Sequence, residues 1–329
     1  MGVSHRGRRE HRVFFYKLFL QLLEGFEPFK SLVIQVMKKL RKVGQQALDF
    51  IIYGHVFIAL CAAFSTLATA KLLNQPNNLS LKDGQLACFV GAATFFLYNL
   101  HKPVTYFLRK QFMENQRFKR TKAFEIPLSI LSILAAILCV YYFFQLNKNS
   151  QMLLMGMAIL SLGYVLPILG KGRRLRDIGL LKIFLIAFVW AIITVVLPFL
   201  QIHHPSKNDL CLSLLCIERM CFIFALCIPF DIRDMDWDSR TNVKTIPLSI
   251  GSEKAKTVGY IALIISLSMS YLLMNLTNYS EMQFLGSAII YLLTALMLSK
   301  THKNRSDYFF YGGVDGLILG QSLTIILIA

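Results

Sequence analysis

The feature that most restricts this chain is a series of long apolar runs separated by short polar connections. A helix needs roughly 20 consecutive apolar residues to cross a bilayer core, within a range of about 17 to 25. Nine stretches meet or approach that length: Phe50 to Leu73, Gln85 to Leu100, Ile126 to Leu146, Met152 to Leu169, Ile178 to Leu200, Leu210 to Phe230, Val258 to Leu276, Met282 to Ser299 and Tyr308 to Ala329, the second being short. Hydrocarbon offers the backbone no hydrogen-bond partners, so runs of this kind cross as helices. The expected fold is all-α: a polytopic bundle of nine transmembrane helices over residues 49–329, preceded by a basic segment, residues 1–48.

The placement of Lys and Arg tests this map, because short cytoplasmic loops carry the excess. The cations gather before the first run and after the second, fourth, sixth and eighth. Of the 35 Lys and Arg, only Lys71, at the end of the first run, with Lys82, Lys148 and Lys207 belong to the opposite side, and the two others that lie within runs are Lys182 and Arg219. Such an alternation fails if one run is missing or invented. It puts the amino terminus in the cytoplasm and the carboxyl terminus outside, in a bacterial-type plasma membrane. The net charge of +17 is split among loops and forms no continuous stripe, so the expected partners are anionic headgroups or phosphorylated substrates, not nucleic acid. The seven cysteines lack metal-ligand spacing and read as packing residues. Residues 1–48 show no cleavable signal pattern; the segments beginning at His11 and Ser31 read either as interfacial amphipathic helices or as a topogenic tail.

Four aspartates fall within the eight residues from Asp231 to Asp238, just after the sixth run, although the chain has only 18 acidic residues. If that run continues as a helix, Asp234 and Asp238 lie at about 300° and 340° from Asp231, on one narrow face. Asp236 and Arg233, at about 140° and 200°, point the other way. Carboxylates stacked at these intervals repel one another. A hard divalent ion with oxygen ligands relieves that repulsion, and Mg²⁺ typically takes one or two carboxylates, waters and a substrate phosphate. The cluster is thus a candidate for diphosphate chemistry; the alternative is a solvated loop that uses Asp in turns and caps.

The segment "DIRDMDWDSRTNVKTIPLSIG", Asp231 to Gly251, resembles the second aspartate motif of the UbiA superfamily of intramembrane prenyltransferases. Asp234 and Asp238 match its paired aspartates, Arg233 the preceding arginine, and Lys244 to Gly251 the tail. The resemblance, which covers the chain from about residue 48, implies a nine-helix bundle of UbiA type. It implies a prenyl diphosphate donor, a hydrophobic acceptor such as an aromatic ring, and Mg²⁺ held by Asp231, Asp234 and Asp238, with Asp234 and Asp238 catalytic. The loop after the fourth run adds Tyr164, Lys171, Arg173 and Arg174 as phosphate or headgroup contacts, or as ordinary positive-inside charge.

The family's first motif, Asn-Asp-x-x-Asp, is broken. Asn99 matches its asparagine, but Leu100 and Pro103 stand where the acids belong. His101, Lys102 and Arg109 follow instead, and together with Asn99 and Lys244 they are expected to bind substrate, the cations by direct contact with a diphosphate. Two readings stay open: a Mg²⁺-assisted transferase, or a protein that binds a lipid or isoprenoid without transfer. A transporter is a third, disfavoured because Pro167, Pro198 and Pro229 lie near the ends of runs. Lys182, one turn into its run, is expected to snorkel to the headgroups. Glu218 and Arg219 lie deep in the sixth run; Arg219 forms either an interhelical pair or part of a cavity wall, and Asp315 faces either a packed seam or the cavity. His203 and His204 are not expected to bind metal.

Overall fold

The computed structural model describes residues 27–73, 79–109, 124–169, 173–201, 209–276 and 279–328. The chain divides into two compact units, Met1–Phe50 and Ile51–Ala329. The described residues form helices α1 (Glu27–Tyr53), α2 (Val56–Leu73), α3 (Leu81–Arg109), α4 (Glu125–Phe143) and α5 (Lys148–Val165). They continue with α6 (Gly179–Gln201), α7 (Asp209–Arg240), the short α8 (Ile246–Ile250), α9 (Ser252–Leu276), α10 (Glu281–Ser299) and α11 (Phe309–Leu327). Residues 11–26, Lys171, His203 and His204 lie outside the described residues.

Local chemistry sets several helix starts. Asn147 caps α5 by accepting from the Ser150 backbone N–H at 2.9 Å. Ser280 and Gln283 form a reciprocal capping box at the start of α10. The first expected span begins later than the apolar pattern indicates. Phe50–Tyr53 belong to α1, and the chain breaks at Gly54 and His55, where His55 adopts a left-handed φ of 62°. Both α6 and α11 contain a π-helical stretch, Ile192–Val196 and Phe309–Val314.

Among the described residues, seven helices are long and apolar enough to cross a membrane: α2, α4, α6, α7, α9, α10 and α11. The second and fourth expected runs are helical in α3 and α5 but do not reach that standard. Their ends are the reason. Lys82 and Asp83 open α3, and Lys148 to Gln151 make up the first turn of α5, so the apolar part of each is short.

α7 is the central element, packed along α9 and α6, while α2 sits between α3 and α11. The larger apolar core includes Phe222, Ile223, Ala225, Ile228 and Ile232 of α7 with Val90, Ile183, Ala255 and Leu298. A second cluster of Ala68, Val195, Leu214, Leu215, Leu273 and Ile325 closes the end of the bundle reached at the start of α7. On the outside, Ile126, Ile130, Ile133, Ile137 and Val140 of α4 stay exposed, as a lipid-facing surface requires.

Candidate functional site

α7 runs unbroken through Pro229 to Arg240, so the aspartates ride on a helix and not on a loop. The continuation brings Asp231 and Asp238 to one side, as the helical wheel predicts, and both are buried. Their partner is unexpected. Lys182 of α6 places its Nζ 2.8 Å from Asp231 Oδ1 and 3.3 Å from Asp238 Oδ2. The lysine is itself buried and does not snorkel to headgroups. Burial decides this: two carboxylates of a neighbouring helix stand at its depth, and an unpaired charge in either place would be costly.

Asp234 takes a different cation. Arg233 grips it with two hydrogen bonds, Nε to Oδ1 at 2.8 Å and Nη2 to Oδ2 at 3.0 Å. The guanidinium carbon of Arg233 lies 5.0 Å from the Phe230 and Tyr311 ring centroids and 5.1 Å from that of Phe310. Such contacts favour a cation over the ring faces. Asp236 points away, as predicted, to an exposed contact with Lys303.

These oxygens are chemically suited to Mg²⁺, and Asp231 Oδ2 is buried without a hydrogen-bond partner. The arrangement is nonetheless not a three-aspartate cage. Asp231 and Asp238 share one ammonium, Asp234 is turned to Arg233, and no group of three His, Cys, Asp or Glu is placed to hold a metal among the described residues. The joint metal role expected for the three aspartates therefore meets a site already filled with protein cations.

The remaining predicted residues divide. Tyr164 is half-buried, with the Arg176 guanidinium 5.4 Å from its ring centroid. Arg173 and Lys244 are exposed. Arg174 is buried and tied to Asp177, with Nη2 at 3.2 Å from Oδ1. His101, Lys102 and Arg109 lie on α3, and their side chains lie outside the described residues. Asn99 is buried, and its Nδ2 donates to the Gly54 and Phe95 carbonyls, each at 3.0 Å. Its amide thus ties α3 to the break between α1 and α2. Asn99→Leu is expected to cost about 1–3 kcal/mol, because the buried Gly54 carbonyl loses its donor; unfolding in mixed micelles measures this, and an unchanged midpoint contradicts the role.

Sequence reasoning left Asp315 open between seam and cavity. Asp315 lies at the end of the π-helical part of α11 and is partly accessible, as are Tyr98, Tyr164 and Cys227. The charge of Asp315 acts on Arg233, Tyr98 and Cys227. Glu218 and Arg219 are a structural pair, with Arg219 Nε 3.7 Å from Glu218 Oε2. Sequence reasoning missed Lys182 and Arg176, whose charges both act on Asp231. The usable signal for Lys182 was its position about one turn from the amino-terminal end of its run, level with Asp231 just beyond the carboxyl-terminal end of the next.

An all-helical bundle with buried acids at one end beside an aromatic interior defines a membrane-embedded protein with a polar site at the edge of the membrane. The sequence profile of the UbiA prenyltransferase family matches residues 123–314, more than half of the chain. The chain belongs to this family. The match includes Asp231 to Asp238 and begins beyond the degenerate Asn99 segment. No curated protein matches the chain.

Solved structures share the fold. A UbiA homologue from Archaeoglobus fulgidus bound to GPP and Mg²⁺ is 11% identical, with 85% of this chain and 100% of that chain covered and a TM-score of 0.57. The apo UbiA homologue from Aeropyrum pernix K1 is 10% identical, covering 81% and 96%, with a TM-score of 0.59. Digeranylgeranylglyceryl phosphate synthase is 13% identical, covering 86% and 98%, with a TM-score of 0.54. At these identities the likeness concerns the fold alone.

Proposed function

We propose that this protein binds a prenyl diphosphate at the cytoplasmic end of α7 and transfers the prenyl group to a hydrophobic acceptor inside the bundle. The observation that carries the reading is the unbroken α7, which keeps Asp231, Asp234 and Asp238 on one helix beside Lys182 of α6. In this reading the chain spans a bacterial-type plasma membrane nine times, α3 and α5 included, with its amino terminus in the cytoplasm. The basic face of α1, with Lys38, Lys39, Arg41 and Lys42, rests on anionic headgroups.

The diphosphate lies among cations: Lys182 and Arg176, the exposed Arg173 and Lys244, and Lys171 with His101, Lys102 and Arg109. Direct N–H donors of this kind stabilise charge on a departing pyrophosphate. Cleavage of the allylic C–O bond sends the electron pair to pyrophosphate. The aromatic faces of Tyr98, Tyr164 and Trp190 stabilise the cation left behind. The acceptor, an aromatic or similar hydrophobic head, then forms the new bond to that carbon and gives up a proton. Magnesium, bound with GPP in the Archaeoglobus homologue, would here add to the neutralisation of the pyrophosphate charge that the protein's cations provide.

One observation favours a second reading, binding without transfer: Leu100 and Pro103 replace both acids of the first motif. A single experiment separates the two. The full chain in nanodiscs is given geranyl, farnesyl or geranylgeranyl diphosphate with phenolic acceptors, while thermal unfolding and pyrophosphate release are followed. The transferase reading predicts stabilisation by at least one donor and a release that Asp234→Ala or Asp238→Ala abolishes. Stabilisation without release selects the binder. Absence of both with every donor rejects the diphosphate site.

A further inference from the structure

The ion pairs at the acidic face carry an inference beyond the identity of the ligand. Lys182 Nζ stands 2.8 Å from Asp231 and 3.3 Å from Asp238, with the lysine side chain 9% exposed and the two carboxylates 2% and 7%. These are buried, close contacts from a separate helix, unlike the surface pairs whose geometry salt and water loosen. The point between the two carboxylates is the one that a shared divalent ion would take. An ammonium there repels a second cation and already supplies the compensating charge.

The neighbouring groups follow the same plan. Asp234 is gripped by Arg233, whose guanidinium is wedged among three aromatic rings and therefore held in place. Arg176 adds a further positive field on Asp231 and Lys182. In the sequence of α3, Leu100 and Pro103 stand where a second pair of acids would supply metal ligands. Fixed protein cations thus meet Asp231, Asp234 and Asp238, and α3 lacks the paired acids of its motif.

We propose that Lys182 is the resident counter-ion of this site: it holds Asp231 and Asp238 in place of a divalent cation and presents its third N–H to an anionic oxygen of the bound diphosphate. An ammonium has three donors, and the two carboxylates take two of them. The site therefore takes its ligand without a metal between Asp231 and Asp238. The ligand half of this inference rests on the diphosphate reading above, whereas the metal half does not.

The metal half is tested with no isoprenoid present. Mn²⁺, a paramagnetic substitute for Mg²⁺, is titrated into the full chain in zwitterionic nanodiscs, and the free ion is read by electron paramagnetic resonance. The wild type is expected to take up no more Mn²⁺ than Asp238→Asn does. Lys182→Met, which frees two adjacent carboxylates, is expected to gain a site about tenfold or more tighter than any in the wild type, and Lys182→Arg is expected to gain none. Wild-type uptake that Asp231→Asn or Asp238→Asn removes would overturn the proposal. If Lys182→Met does not fold, the comparison of wild type with Asp238→Asn decides the matter alone.

The ligand half is tested by stabilisation with geranylgeranyl diphosphate in EDTA. Stabilisation is expected to persist in the wild type, and to need added Mg²⁺ in Lys182→Met. A wild type stabilised only with Mg²⁺ contradicts the proposal. If no prenyl diphosphate binds under any condition, the proposed function fails, and the Mn²⁺ titration still judges the role of Lys182.

Discussion

Glu218→Leu is expected to destabilise the bundle by about 3–5 kcal/mol, the range for breaking a buried charge pair by removing one partner. Glu218 Oε1 accepts hydrogen bonds from Tyr291 at 2.6 Å and from Gln321 at 2.7 Å, and its Oε2 faces Arg219. Arg219 reaches Ser65 and, at 3.2 Å, Thr194. Ser266 donates to the Glu218 carbonyl at 3.1 Å, and Ser270 and the Tyr291 hydroxyl are 2.9 Å apart. One polar network thus joins α2, α6, α7, α9, α10 and α11. Removing Glu218 leaves Arg219 buried without its carboxylate, and the Arg219 Nε has no hydrogen-bond partner to fall back on.

Unfolding in mixed micelles measures the loss. Glu218→Gln keeps an acceptor for Tyr291 and is expected to lose less. Adding Arg219→Leu to Glu218→Leu is expected to restore part of the stability, since the stranded charge is then gone. A Glu218→Leu protein that unfolds with the wild type would show that the network carries no weight.

Gly179→Ala is expected to disturb both the fold and the site. A Cβ at Gly179 would lie 1.8 Å from the Lys244 carbonyl oxygen and 2.4 Å from its carbon. Those are backbone atoms, so no side-chain rotation relieves the clash. Either the first turn of α6 or the segment between α7 and α8 must move. Overpacking of this kind costs about 1–3 kcal/mol. Lys182 lies one turn beyond Gly179, so the same displacement pulls its ammonium away from Asp231 and Asp238. Loss of isoprenoid binding should therefore accompany the loss of stability. Gly156→Ala is the matched control: nothing lies within 4 Å of the added carbon, and the helix is expected to gain up to about 1 kcal/mol. Equal stability and equal ligand binding in wild type and Gly179→Ala would contradict the close approach.

Much of the site was legible because helical periodicity is a local property. The spacing of Asp231, Asp234 and Asp238 needs only the continuation of one helix, and α7 provides it through Arg240. The outward turn of Asp236 followed from the same wheel and ends at Lys303. Asn99 was legible as the asparagine of the first motif, but its donation to Gly54 depends on a helix break 45 residues earlier in the chain. That break lies inside an apolar run, where hydropathy gives no sign of it. The π-helical stretch in α6 is equally silent in composition, since its residues are as apolar as the turns on either side.

By itself the sequence determined the solvent and the register. Runs of apolar residues can bury their backbones in hydrocarbon only as helices, and the placement of Lys and Arg follows from which loops cross the membrane. It also determined which carboxylates share a face, because a helix fixes angles between neighbours in the chain. Only the tertiary structure decided what those carboxylates face. Lys182 looked free to reach the headgroups, since a lysine stem can bend toward water from one turn inside the membrane. Packing of α6 against α7 set its ammonium between Asp231 and Asp238 instead. The rotation of one helix about its axis relative to another is not written in either run alone. That rotation turned an acidic face expected to bind metal into one balanced by the protein's own cations.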